Sequence, residues 1–133
     1  MYKRQLPAAE FRSTAAVSVL YDGPSLQARK LFVAPRGMPF EVLATVGPWI
    51  KLRDVAGDVA WIERSDVSVT RTVVSRAPLS LRVSAGEGAD AVLGIDRGVV
   101  LELIDPVAAS GWVRVRHREG ASGFVRGSEV WGL

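Results

Sequence analysis

Cysteine is absent from this chain of 133 residues. Its absence excludes disulfides, zinc–thiolate sites, iron–sulfur clusters and thiol catalysis together. Histidine occurs once, as His117, so a hydroxyl nucleophile has only one imidazole available as its base. That residue lies in the turn-like stretch HREG between charged neighbours, which marks an ordinary turn position. Acidic residues stand singly in turns and at strand ends, without the clustering that a metal site requires, so neither metal nor cofactor is expected. Glu41 and Glu102 recur, one in each half, and read as solvent-facing or ion-paired strand positions, not as an acid/base couple. No glycine-rich phosphate loop stands between a strand and a helix. No apolar run approaches the ~20 residues of a membrane span. No segment carries a convincing helical amphipathic period.

Clustered charge of one sign is also missing. The net charge is +3, but it is unevenly placed. Residues 1–15 hold Lys3, Arg4 and Arg12 against Glu10, for +2. Residues 16–69 balance six bases against six acids, and residues 70–133 set eight against seven. The body is therefore near neutral, and the basic stripe of a nucleic-acid binder is lacking. No nucleic-acid partner is expected.

What the sequence does contain is a repeat. Residues 49–67 read WIKLRDVAGDVAWIERSDV and residues 112–130 read WVRVRHREGASGFVRGSEV. At this offset of 63, five of nineteen positions are identical, among them Trp49/Trp112, Arg53/Arg116 and Gly57/Gly120. His117 corresponds to Asp54. Further upstream the offset is 61, which aligns Arg36-Gly37 with Arg97-Gly98 and Glu41 with Glu102. The two extra residues of the second copy fall within DPVAASG, a turn-like stretch where insertions are tolerated.

Periodicity within the repeat is two. Ile50 and Leu52 share one face, opposite Trp49, Lys51 and Arg53. Val113 and Val115 oppose Trp112, Arg114 and Arg116. This is the pattern of a half-buried strand. A turn containing Gly57 or Gly120 and a second strand, AWIE or GFVR, complete a β-hairpin. Strands FEVLATV or VVLELI precede it, with VSVLY or LSLRV and a long loop earlier still. The stretches SDV and SEV predict a final single turn. The expected fold is all-β: two tandem small β-barrels of about five short strands each. The first domain spans 16–69 and the second 70–133, after an N-terminal tail 1–15 in which residues 8–11 form at most a turn. The linker near 68–77 is itself β-prone.

The strand pattern resembles the bacterial SH3-like (SH3b) domain. The second copy carries the resemblance through Leu79, Leu81, Arg82, Gly94, Gly111-Trp112, Val115 and Gly123-Phe124. The first carries it through Gly23-Pro24-Ser25, Gly37, Trp49, Leu52, Gly57 and Trp61, and departs at Tyr21, where the second has the usual arginine. Two copies in order look like a tandem SH3 protein of the exported Gram-negative type. Leu20-Tyr21-Asp22 also echoes a loop of eukaryotic SH3 domains, but proline-rich peptide binding needs several aromatics along one groove.

The resemblance implies a non-catalytic module of the cell envelope that recognises peptidoglycan peptide or another envelope component. An exported or periplasmic location follows, with the signal peptide lost from this sequence. Residues 2–5, YKRQ, match one frame of a transposase adapter, and MYKRQ is read as an artefact on a truncated chain. The expected ligand-binding residues are Tyr21, Asp22, Trp49 and Trp61 in the first copy and Arg82, Trp112 and Phe124 in the second. An aromatic ring flanked by Arg or Lys suits stacking on a sugar or clamping a peptide. The same rings could instead pack against the other repeat or against long basic side chains. Trp131 is expected to pack between the repeats or to cover a barrel end. A protein-interaction scaffold using barrel surfaces or edge strands is the alternative.

Overall fold

A computed structural model describes residues 9–133. The adapter-like residues 1–5 lie outside them. The first repeat holds seven strands: β1 (Phe11–Thr14), β2 (Ser18–Tyr21), β3 (Lys30–Ala34), β4 (Pro39–Val46), β5 (Trp49–Arg53), β6 (Val59–Glu63) and β7 (Val67–Ser68). The second holds seven more: β8 (Thr72–Ser75), β9 (Leu79–Arg82), β10 (Ala91–Ile95), β11 (Val100–Ala109), β12 (Trp112–Arg116), β13 (Ser122–Arg126) and β14 (Val130–Trp131). The sheet orders are β3-β2-β6-β5-β4-β1-β7 and β10-β9-β13-β12-β11-β8-β14, which are the same topology written twice.

The count of about five strands per repeat is corrected to seven. The additions are β1 with β7, and β8 with β14. Each first member pairs with the strand of the Arg-Gly turn on one side and with the short C-terminal strand on the other. The residues 11–14 read as tail are therefore paired into the first sheet. Their sequence, FRST, concealed this because its buried residues are Ser13 and Thr14, not alternating apolar side chains. The β-prone linker contains β8, and SDV and SEV do fall at single 3-10 turns, Arg64–Asp66 and Gly127–Glu129.

The period-two reading of the hairpins holds in detail. Ile50, Leu52, Ala60 and Ile62 point into one core with Leu20, Ala34 and Phe40. Val113, Val115 and Val125 point into a second core with Leu81, Ile95 and Leu101. Each repeat thus closes around its own apolar centre. The two centres trade volume at equivalent positions: Phe40 with Ala34 in the first, Leu101 with Ile95 in the second. The hairpin turns need Gly57 and Gly120, whose φ values of +89° and +104° strain any side-chain-bearing residue.

The repeats are also fastened to each other. Ser13 Oγ donates to the Thr70 carbonyl at 2.6 Å, and Thr72 Oγ1 donates to the Gly37 carbonyl at 2.7 Å. Trp131 of β14 meets Phe11 of β1 edge-on, with ring centroids 5.2 Å apart. This is the packing between repeats expected of Trp131. The Arg71 guanidinium stands 5.8 Å from the Phe11 ring centre and donates to the Gly132 carbonyl.

Candidate ligand-binding faces

Strand pairing decides which side chains share a face, because directly opposed residues project to the same side of a sheet. In the first repeat Tyr21 opposes Trp61, Trp61 opposes Lys51, and Glu63 opposes Trp49. In the second, Arg82 opposes Phe124, Phe124 opposes Arg114, and Arg126 opposes Trp112. The structure therefore assembles Tyr21, Trp49 and Trp61 into one outer face, and Arg82, Trp112 and Phe124 into its counterpart. Asp22 is exposed at the start of the early loop beside the first face. That loop closes through Asp22 N donating to the Arg29 carbonyl at 2.8 Å, and its counterpart through Val83 N donating to Asp90 at 3.0 Å.

The rings are not equally accessible. Trp49 and Trp112 are only 7% and 8% exposed. Trp61 and Phe124 are half-buried and present ring surface to solvent. Trp49 lies against Tyr21 edge-on, with centroids 5.4 Å apart. Trp112 is covered differently. The Arg126 guanidinium stands 4.8 Å from its ring centre and also pairs with Glu87 of the early loop. Arg82 Nη1 ties the same loop down through the Ala89 carbonyl at 2.9 Å. An aromatic pair in one copy and a cation–aromatic–carboxylate stack in the other thus pack on the buried tryptophan, and in the second copy the stack also holds the early loop through Glu87.

Arg126 and Glu87 are site residues that the sequence reading missed. They lie 39 positions apart, and only the fold brings them together. Arg126 could have been suspected from its place two residues after Phe124. A groove of about 380 Å³ adjoins Trp112, lined by Pro106, Val107, Ala109, Val113 and Leu133 among others. It borders the stretch that carries the two-residue insertion, so it belongs to the second copy's departure from the first.

His117 serves the turn it occupies. Its amide donates to the Ala121 carbonyl at 2.7 Å, and its Nδ1 accepts from the Glu119 amide at 3.2 Å. Among the described residues no group of three or more His, Asp or Glu side chains forms a metal cluster. No described helix is long and apolar enough to cross a membrane.

Residues 16–68 match a family model described as Bacterial SH3 domain, and residues 75–132 match a second model of the same description. No curated protein matches the chain. Solved structures similar to it include NlpC2 from Trichomonas vaginalis, at 11% identity and a TM-score of 0.43, covering 95% of this chain and 49% of that one. NlpC1 from the same organism gives 10% and 0.43, with coverages of 97% and 48%. An NlpC/P60 family protein from Bacillus cereus gives 12% and 0.41, with coverages of 91% and 55%. The chain spans about half the length of each.

Proposed function

Because this chain belongs to the bacterial SH3 domain family in both of its halves, we propose that it is a non-catalytic binding module that recognises peptidoglycan peptide or another cell-envelope component. Bacterial SH3 domains are generally binding modules and typically occur in exported or envelope proteins, which supports an exported or periplasmic location. The observation that carries the reading is the repeated face. Each copy presents one half-buried ring, Trp61 or Phe124, on the same face as a buried tryptophan. Each ring is flanked across the strands by a long cationic side chain, Lys51 or Arg114. An accessible ring beside a cation stacks on a sugar or apolar peptide surface while the cation meets a carboxylate. Two modest sites on one chain gain avidity when both reach the same polymer.

Co-sedimentation with Gram-negative peptidoglycan sacculi tests this reading. The parent chain pellets with sacculi, and a folded Trp61→Ala/Phe124→Ala double variant stays in the supernatant. A parent chain that does not pellet overturns it.

Edge strands favour a second reading, a protein-interaction scaffold. Strands β3 and β10 end their sheets and carry exposed Val33 and Val92, at 61% and 47% exposure. Such an edge can accept a partner strand. Capture of a specific envelope protein, abolished by proline in β3 or β10 and not by Trp61→Ala, would select it.

A further inference from the structure

A cleft of about 1150 Å³ runs between the two repeats, away from both aromatic faces. Its walls come from both copies: the first Arg-Gly turn at Arg36 and Gly37, the junction at Thr70 and Thr72, and the second hairpin turn at Arg116–Arg118. The bonds from Ser13 to Thr70 and from Thr72 to Gly37 cross this junction, so the cleft is formed before any ligand arrives.

Its charge is one-sided. Arg36, Arg116 and Arg118 line it, with His117 beside them and Glu102 as the one acid. All three arginines are exposed, and none makes an ion pair with another described residue. The two repeats differ at just this point. In the first, Arg53 is paired with Glu41 at 3.4 Å, and its turn continues Asp54-Val55. In the second, Arg116 opposes Glu102 in register without an ion pair, and its turn continues His117-Arg118. The basic turn belongs to the copy whose turn faces the cleft.

We propose that this cleft is a binding site for a short acidic peptide. Guanidinium forks pair with carboxylates in two-bond geometry. The volume lies just above the ~300–1000 Å³ of small-molecule pockets, which suits a peptide of a few residues. One member of the lining favours a peptide over a polyphosphate. Glu102 is exposed and in no ion pair with another described residue, so it accepts from a peptide's N–H and ammonium groups and repels phosphate oxygen. This site stands independently of the envelope reading, since it uses neither Trp61 nor Phe124.

The test is a titration of the isotope-labelled full chain, followed by amide NMR, with triglutamate, tripolyphosphate and trilysine as probes. Triglutamate is expected to shift the amides of Gly37, Gly98 and Gly120, which line the cleft. Its affinity should fall about tenfold or more in an Arg116→Ala/Arg118→Ala variant, and likewise when NaCl is raised from about 0.05 to about 0.5 M. Both side chains are exposed, so the variant keeps its spectrum and melting temperature. Absence of shifts at these amides overturns the proposal, as does unchanged affinity in the variant. Tighter binding of tripolyphosphate than of triglutamate overturns the peptide assignment. Loss of sacculus binding with retained triglutamate binding, or the reverse, separates failure of one site from failure of the other.

Discussion

Thr14 and Ser75 hold the same place in the two repeats, and each locks an Arg-Gly turn by the same three bonds. Thr14 Oγ1 donates to the Pro35 carbonyl at 2.6 Å and accepts from the Met38 amide at 3.0 Å, while Gly37 N donates to the Thr14 carbonyl at 2.8 Å. Ser75 Oγ donates to Asp96 at 2.6 Å and accepts from Val99 N at 2.9 Å, while Gly98 N donates to the Ser75 carbonyl at 2.9 Å. Both hydroxyls are almost wholly buried. This is why polar residues occupy strand positions where an apolar side chain would leave a turn amide and carbonyl without partners.

Removing either hydroxyl should therefore cost more than one ordinary hydrogen bond. Ser75→Ala orphans a buried amide and carbonyl, and should destabilise the second repeat by about 1–3 kcal/mol. Thr14→Val should do the same to the first. Urea unfolding followed by circular dichroism measures both, and an unchanged midpoint in either variant would contradict the role given to that hydroxyl.

Gly123 sits where β13 crosses β9. An added Cβ would stand 2.8 Å from Leu81 Cβ and 2.9 Å from the Arg82 carbonyl oxygen. Both obstacles are held in a packed sheet and cannot rotate away. Gly123→Ala should cost about 1–3 kcal/mol as overpacking, lowering the melting temperature by about 4–8 °C per kcal/mol for a unit of this size. Ala60 is the first repeat's counterpart, so Ala60→Gly there should cost only about 1 kcal/mol or less. Calorimetry on the two variants would expose an error if their order were reversed.

Trp49 and Trp61 lie on one face but should respond to truncation in different degree. Trp49 is buried against Tyr21, so Trp49→Ala should destabilise by about 3–5 kcal/mol. Trp61 is half-exposed, and Trp61→Ala should cost clearly less than Trp49→Ala while reducing ligand binding. Thermal melts read beside sacculus sedimentation make the distinction. Equal destabilisation by the two changes would refute the division into a buried ring and a contact ring.

The Arg126–Glu87 pair is exposed, at 41% and 68% of the two side chains. A double-mutant cycle with Arg126→Ala and Glu87→Gln should give a coupling of about 1 kcal/mol or less, fading in concentrated salt. Arg126→Ala alone should cost somewhat more, because it also uncovers the Trp112 ring, a contact of about 0.5–1 kcal/mol at such sites. A coupling that persisted undiminished in high salt would show that the pair is not screened as its exposure requires.

Much of this protein could be read from the chain. The duplication, the hairpins WIKLR–AWIE and WVRVR–GFVR, the turn glycines and the inward faces of Ile50, Leu52, Val113 and Val115 all follow from period-two alternation and glycine placement. Those are local signals, and a half-buried strand writes them directly into its sequence. The seating of the second early loop, the edge-on pair of Tyr21 and Trp49, and the pairing of Arg126 with Glu87 were decided only by the tertiary structure. So was β1, because a strand whose buried groups are hydroxyls, Ser13 and Thr14, carries no clean apolar rhythm, whereas β8 lies in the linker whose β-prone character the sequence does show. The cleft between the repeats was the least legible feature. It is made by Arg36, Thr72 and Arg116, which lie far apart in the chain, and long-range placement leaves no periodic mark in a sequence.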